Sequence, residues 1–142
     1  MGIPLDEAFE FVNRHQRGVL VTLRREGRPQ LSNIVYTPGP GHEVRISVTD
    51  NRAKTRNLRR DPRVSLHVTR EDFYAYVVLE GDASLSPVAG HPDDPVVDEL
   101  VDMYRRVQGE HPGWDEFRRS MVDQGRLVVT VRADRAYGML GT

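Results

Sequence analysis

Hydrophobic and polar residues alternate through much of this chain, which is the period of a half-buried β-strand. Residues 18–25 and residues 29–37 both show this alternation, and Glu26 and Gly27 provide a turn between them. Two extended runs joined by so short a connection predict an antiparallel β-hairpin near the start of the chain.

Four further segments are predicted as strands. Residues 42–49 and residues 64–68 alternate in the same way, and residues 73–86 form a longer run rich in aromatic and β-branched side chains. Gly81 interrupts that long run and predicts a bulge where a sheet can bend. Residues 126–138 then close the chain as the last strand. We also expect Tyr74 and Tyr76 to share one face of the long strand, where core packing and ligand stacking are alternative roles.

Helical spacing of apolar residues appears in four other places. Residues 5–12 predict a short amphipathic helix, residues 97–104 an acidic one, and residues 114–121 a third. A basic helix around residues 53–58 must end before Asp61 and Pro62, and Thr49 or Asp50 is its expected N-cap.

This order of elements predicts a mainly β, α+β fold in which an antiparallel sheet carries added helices. A doubly wound nucleotide-binding fold is disfavoured, because the β-α-β alternation and the G-x-G-x-x-G fingerprint are both missing. At 142 residues the chain is expected to form a single domain.

Composition narrows the classes of function. The chain has no cysteine, and its histidines show no helical ligand spacing, so we expect neither a thiolate site nor a metal site. A net charge of −1 argues against a nucleic-acid-binding protein. The sequence shows no apolar stretch of membrane-spanning length, and we expect a cytoplasmic protein without a membrane partner.

The basic run of residues 51–63 follows a predicted strand and opens a helix. Free backbone amides at a helix start favour phosphate, and Ser47, Thr49, Arg52 and Lys54 could add hydrogen bonds and positive charge. The alternative is a solvated basic helix without a ligand.

Within the hairpin, Ser32 and Asn33 interrupt an apolar strand. They are either a solvent-facing pair or, with the backbone from Gln30, a polar edge for a planar heterocycle.

Four segments together resemble the pyridoxamine-phosphate-oxidase-like split barrels, and more narrowly their flavin/deazaflavin oxidoreductase branch that uses coenzyme F-420. They are GVLVTLRREGRPQLSNIVY, SVTDNRAKTRNLRRDPRVSLHV, YAYVVLEGDASL and RLVVTVRADRAYG. The resemblance implies an FMN-binding type of split β-barrel and a homodimer with cofactors in clefts between subunits. It places the family's phosphate-binding arginine and lysine on Arg52 and Lys54, and its ring-lining polar pair on Ser32 and Asn33. The full set of expected cofactor-binding residues is Gln30, Leu31, Ser32, Asn33, Ser47, Val48, Thr49, Arg52, Ala53, Lys54, Arg56 and Tyr76.

The expected function is therefore an F-420-dependent reductase that transfers hydride to a small electrophilic molecule, with water or a hydroxyl such as Tyr76 as proton source. The catalytic residues are not assigned. Pyridoxamine phosphate oxidation itself is not expected, because the C-terminal arginine-histidine motif of those enzymes has no counterpart here. The alternatives are an FMN-dependent oxidoreductase on the same barrel and a non-catalytic flavin or F-420 carrier. An RNA-binding module ranks last, because the overall basic charge and aromatic platform are lacking.

Overall fold

The computed structural model describes residues 2–141 and contains the predicted elements in their predicted order, with two short strands in addition. The elements are β1 (Gly2–Ile3), α1 (Leu5–Val12), β2 (Arg17–Leu23), β3 (Pro29–Val35), β4 (Thr37–Pro38), β5 (Glu43–Thr49), α2 (Ala53–Arg60), β6 (Arg63–Thr69), β7 (Tyr76–Leu85), α3 (Pro95–Gln108), α4 (Trp114–Asp123) and β8 (Arg126–Met139).

The strands form one antiparallel sheet in the order β3-β2-β6-β7-β8-β5-β4, with β1 paired to β8. The sheet curls into a half-barrel, so the expected split-barrel fold of mainly β, α+β class is confirmed. The predicted bulge is also present, because the β7–β8 register shifts between Glu80 and Gly81. A side chain at position 81 would overlap the backbone carbonyl of Arg132, so glycine is required there.

Alternation along each strand sends one set of side chains into the barrel. Val44, Ile46 and Val48 of β5 are buried there and pack with α1 and Leu58 of α2. A second, separate cluster joins the apolar faces of α3 and α4 to Val128, on the outer face of β8. The helical hairpin therefore packs on the outside of the sheet and contributes little to the barrel interior.

The predicted cap of α2 is wrong. Thr49 and Asp50 lie before a turn in which the Arg52 backbone N–H donates to the Thr49 carbonyl, so the helix begins only at Ala53. Arg52 is the N-cap residue, and no side chain caps the helix. The Thr55 hydroxyl instead donates to the Thr49 carbonyl at 2.8 Å, which ties the first turn of the helix to the end of β5.

The two tyrosines do not share a strand face, contrary to expectation. The long strand begins at Tyr76, and residues before it form a turn in which Phe73 has a φ of 78°. An ion pair of 2.9 Å between Arg70 and Asp72 stabilises this turn. Tyr74 is 78% exposed and takes no part in the core. Tyr76 packs beside His67 on the outer face of the sheet, with ring centroids 5.4 Å apart.

Within residues 2–141, no helix has the length and apolar character needed to cross a bilayer. The same stretch of chain contains no group of three or more His, Cys, Asp or Glu residues placed to hold a metal ion.

Candidate cofactor site

A cleft of about 500 Å³ lies on the outer face of the sheet, between the edge strand β3 and the α3–α4 hairpin. Strand residues and the start of α2 form a polar wall, and the hairpin forms an apolar one. The lining residues are Asn33, Ile34, Val35, Thr37, Ser47, Lys54, Leu100, Met103, Tyr104, Val107, Gln108, Phe117, Met121, Gln124 and Arg126.

The polar wall is built where β5 and β8 run side by side. Their register places Thr49 opposite Arg126, so the first residue of β8 lies beside the last turn before α2. The Arg126 guanidinium donates to the Ser47 hydroxyl at 3.3 Å and to the Gln124 amide oxygen at 2.9 Å. Lys54, in the first turn of α2, lines the same end of the cleft.

Three positive charges, those of Arg52, Lys54 and Arg126, lie close together at this wall. Partial burial lowers the pKa of Lys54, and the neighbouring Arg52 and Arg126 lower it further. Burial also lowers the pKa of Arg126, with a smaller contribution from Arg52. Across residues 2–141, no carboxylate lies within 4.0 Å of any of these three cations. Such a cluster favours an anionic ligand, because an anion would relieve both the repulsion and the desolvation.

The opposite wall is apolar and partly aromatic. Leu100, Met103 and Val107 line it from α3, and Phe117 and Met121 from α4. Tyr104 packs edge-on against Phe117, with ring centroids 5.0 Å apart. No described residue forms a hydrogen bond with the Tyr104 hydroxyl, although its ring lines the cleft. The cleft thus pairs a cationic end with an apolar face, as expected for a cofactor with a phosphate and a ring.

The structure brings together three of the predicted binding residues, Asn33, Ser47 and Lys54, in this cleft. Ser32 points to the other face of β3, because successive strand residues alternate. There its hydroxyl accepts a hydrogen bond from Gln30, whose amide oxygen accepts one from Thr22 at 3.1 Å. Ser32 and Gln30 therefore belong to a polar network beneath the strand, and only their backbone can face the cleft.

The other predicted residues do not line the cleft. Val48 is buried in the barrel, and Leu31 is 60% exposed on the outer face of β3. Ala53 and Arg56 line a separate hollow on α2, where the Arg56 guanidinium donates to the Asn51 carbonyl at 2.7 Å. Thr49 and Arg52 flank the polar wall, whereas Tyr76 lies on β7, separated from β3 by β2 and β6, next to His67.

Sequence reasoning missed Arg126, Gln124 and the apolar wall. Arg126 follows Gly125, whose φ of 64° marks the turn into β8. The local sequence does not reveal that this turn lies beside α2, which begins more than seventy residues earlier. The apolar positions of α3 and α4 were predicted as helix faces. Their spacing does not reveal that their edges also border a cleft.

A family model described as pyridoxamine 5'-phosphate oxidase matches residues 4–140. Among solved structures, a conserved hypothetical protein from Mycobacterium tuberculosis is 28% identical, with 96% of this chain and 84% of that chain covered and a TM-score of 0.72. An F420 reductase is 24% identical, over 95% of this chain and 98% of that chain, with a TM-score of 0.71.

A heme binding protein from Mycobacterium smegmatis is also similar, at 24% identity and a TM-score of 0.70, with 96% of this chain and 54% of that chain covered. Proteins that share this architecture are thus described with different functions, so the similarity to these structures establishes only the fold of this chain. Because the family model spans nearly the whole chain and the curled antiparallel sheet matches such relatives, the protein belongs to the pyridoxamine 5'-phosphate oxidase family.

Proposed function

We propose that this protein is an F-420-dependent oxidoreductase that reduces a small electrophilic molecule. The observation that carries the proposal is the uncompensated cation cluster of Lys54, Arg126 and Arg52 at one end of a cleft with an apolar wall. A phosphate at that end would supply the missing negative charge, and the remaining cleft would accommodate a flat ring.

Each wall then has a distinct role. Lys54, Arg126 and the Ser47 hydroxyl would hold the phosphate, while Asn33 on β3 would bond the polar edge of the ring. The α3–α4 hairpin would exclude water from the apolar side. When bound, reduced F-420 supplies the hydride. Tyr104 replaces Tyr76 as the candidate proton donor, because its ring lines the cleft and no described group bonds its hydroxyl.

The similar F420 reductase supports the choice of cofactor, since its chain aligns with nearly all of this one. FMN carries the same phosphate on a similar ring, so an FMN-dependent oxidoreductase is the alternative. The cleft itself is lined by no carboxylate, imidazole or thiol among residues 2–141. Since amino-acid side chains do not donate hydride, the bound cofactor would supply the redox chemistry, and binding without turnover would identify a carrier.

The proposed active form is a homodimer in the cytoplasm. Exposed apolar side chains lie on the outer face of the sheet, Leu31 on β3 and Tyr137 and Met139 on β8. A second copy could cover such side chains and add a wall to the cleft. Light scattering at micromolar concentration should give twice the chain mass. A stable monomer that binds cofactor fully would contradict this part of the proposal.

Cofactor titration tests the function. The visible spectrum of the purified protein is recorded first, and the protein is then titrated with F-420 and with FMN while ligand fluorescence is followed. Tighter binding of F-420 than of FMN is expected, together with oxidation of reduced F-420 when a substrate is found. Tighter FMN binding would favour the FMN enzyme, and binding of neither would reject a flavin-type function.

A further inference from the structure

A second groove, of about 430 Å³, lies on the outer face of the sheet beside the cofactor cleft. Strands β2, β3 and β6 form it, and Asn33, Ile34 and Val35 line both concavities. Because these residues belong to the edge strand between the two spaces, a molecule in the groove can contact a ring bound against β3.

Strand register determines which side chains meet in this groove. Val19 of β2 lies opposite Asn33 on one side and opposite His67 on the other, and Arg17 lies opposite Val35. Residues two apart on a strand share a face, and directly opposed side chains are about 5 Å apart. Apolar Val19 and Val35 therefore have four polar side chains around them, Arg17 on β2, Asn33 on β3, and His67 and Thr69 on β6.

The polar groups of the groove are suited to an anion. Arg17, Asn33, His67 and Thr69 can all donate hydrogen bonds, and the Thr69 hydroxyl lies 3.4 Å from the His67 ring nitrogens. No acidic residue lines the groove, and within residues 2–141 no carboxylate approaches the Arg17 guanidinium to 4.0 Å. Its charge is thus available to a ligand.

A third groove nearby shows the opposite arrangement. It is lined by Arg63 and Arg135, but each has its own carboxylate partner, Asp61 at 2.8 Å and Glu80 at 2.9 Å. The ion pairs occupy both guanidinium groups. The groove at Arg17 thus differs from the groove at Arg63 and Arg135, because among the described residues only the latter has its cations paired with carboxylates.

We propose that the groove at Arg17 binds the carboxylate end of a small, flat, apolar molecule. Arg17 would hold the carboxylate, His67 and Thr69 would add hydrogen bonds, and Val19 and Val35 would contact the body of the molecule. That this molecule is the substrate reduced in the adjoining cleft rests on the proposed function, whereas its binding does not.

The test uses trans-cinnamate and its uncharged methyl ester as probes of the full-length protein, with calorimetric titration. The wild type should bind the acid about fivefold more tightly than the ester. Arg17→Gln should abolish this preference and Arg17→Lys should retain most of it, which separates charge from folding. Arg28→Gln, which removes an exposed arginine of the same hairpin outside the groove, is the matched control and should leave the preference unchanged.

Equal affinity of the wild type for acid and ester would overturn the proposal. So would a preference that survives Arg17→Gln, or one that is lost in Lys54→Gln, because the carboxylate would then occupy the cofactor cleft. The experiments can reject the oxidoreductase function and the carboxylate-binding groove independently of each other. If neither F-420 nor FMN binds but the Arg17-dependent preference is measured, the groove assignment stands and the oxidoreductase does not.

Discussion

Two sets of positive charge lie at opposite ends of β5, one at Arg45 on its outer face and one where β5 meets α2 and the start of β8, and they differ in their counterions. Arg45, two residues before Ser47, is only 12% exposed and bonds Glu99 at 3.3 Å and Asp102 at 3.0 Å on α3. Lys54 and Arg126, at the other end of β5, have no carboxylate partner among the described residues. The same helical hairpin flanks both sets.

This difference indicates that Arg45 stabilises the fold, whereas Lys54 and Arg126 are available to bind a ligand. Arg45 connects the α3–α4 hairpin to the sheet, and that hairpin has its own apolar cluster and little share in the barrel interior. Removing Arg45 should therefore cost stability. Lys54 and Arg126 repel each other in the free protein, so removing either should cost ligand affinity and little stability. The predictions below address this contrast.

The largest expected effect is on stability. Arg45→Met should lower the free energy of unfolding by about 2 kcal/mol, because Glu99 loses its partner near a half-buried position and Asp102 keeps only the more exposed Arg106. Arg106→Met is the control, since Arg106 bonds the same Asp102 but is 55% exposed, and it should cost less than about 1 kcal/mol. Urea unfolding measures both. Equal effects would show that Arg45 does not hold the hairpin.

Removal of Lys54 should show the reverse pattern. Lys54→Gln and Arg52→Gln should each weaken F-420 binding about tenfold or more, because a charge-assisted contact to phosphate is lost. Unfolding free energy should stay within about 0.5 kcal/mol of the wild type or exceed it. Fluorescence titration gives the affinity, and Arg119→Gln, an exposed helical arginine, should change neither quantity. Unaltered affinity in both variants would reject the phosphate assignment.

A smaller effect concerns discrimination between F-420 and FMN. The oligoglutamate tail of F-420 carries charge beyond the phosphate, and Arg56 extends the positive surface along α2. Arg56→Ala should reduce the preference for F-420 about threefold at low salt and less at high salt. Arg59→Ala should have a weaker effect, because Arg59 is already paired with Asp50. Competition titration at two salt concentrations distinguishes them, and an unchanged preference would remove Arg56 from the site.

The smallest effect is on the pH dependence of stability, and the two sets differ in the pH range where it appears. The pKa of Lys54 is lowered from 10.5 in the folded protein, so relative to Lys54→Gln the wild type should gain stability as pH rises toward 10.5. The hydrogen bond from Arg45 lowers the pKa of Asp102 from 3.8. Relative to Asp102→Asn, the wild type should lose stability as pH falls below 3.8. Both differences in unfolding free energy should therefore rise with pH, the first in the range below 10.5 and the second in the range below 3.8. Chemical unfolding across pH measures them, and a flat or falling difference in either range would contradict the corresponding pKa shift.

Local pattern was sufficient for most of the fold. Alternation at Val44, Ile46 and Val48 is the physical basis of a strand with one buried face, and the sheet buries these side chains. Gly81 in a long strand indicated the bulge that the structure contains. Ser32 and Asn33 are neighbours on a strand, so alternation alone places their side chains on opposite faces of the sheet. The prediction that both side chains line one polar edge ignored this alternation.

The sequence by itself thus determined the strands, the helices and three of the residues that line the cleft, because these depend on the spacing of neighbours along the chain. Only the tertiary structure decided which cations meet. Arg126 lies beside Lys54 because β8 pairs with β5 in one register, and Arg17 lies near His67 because β2 pairs with β6. Register between strands far apart in sequence depends on the packing of the whole sheet, and a local pattern does not contain it.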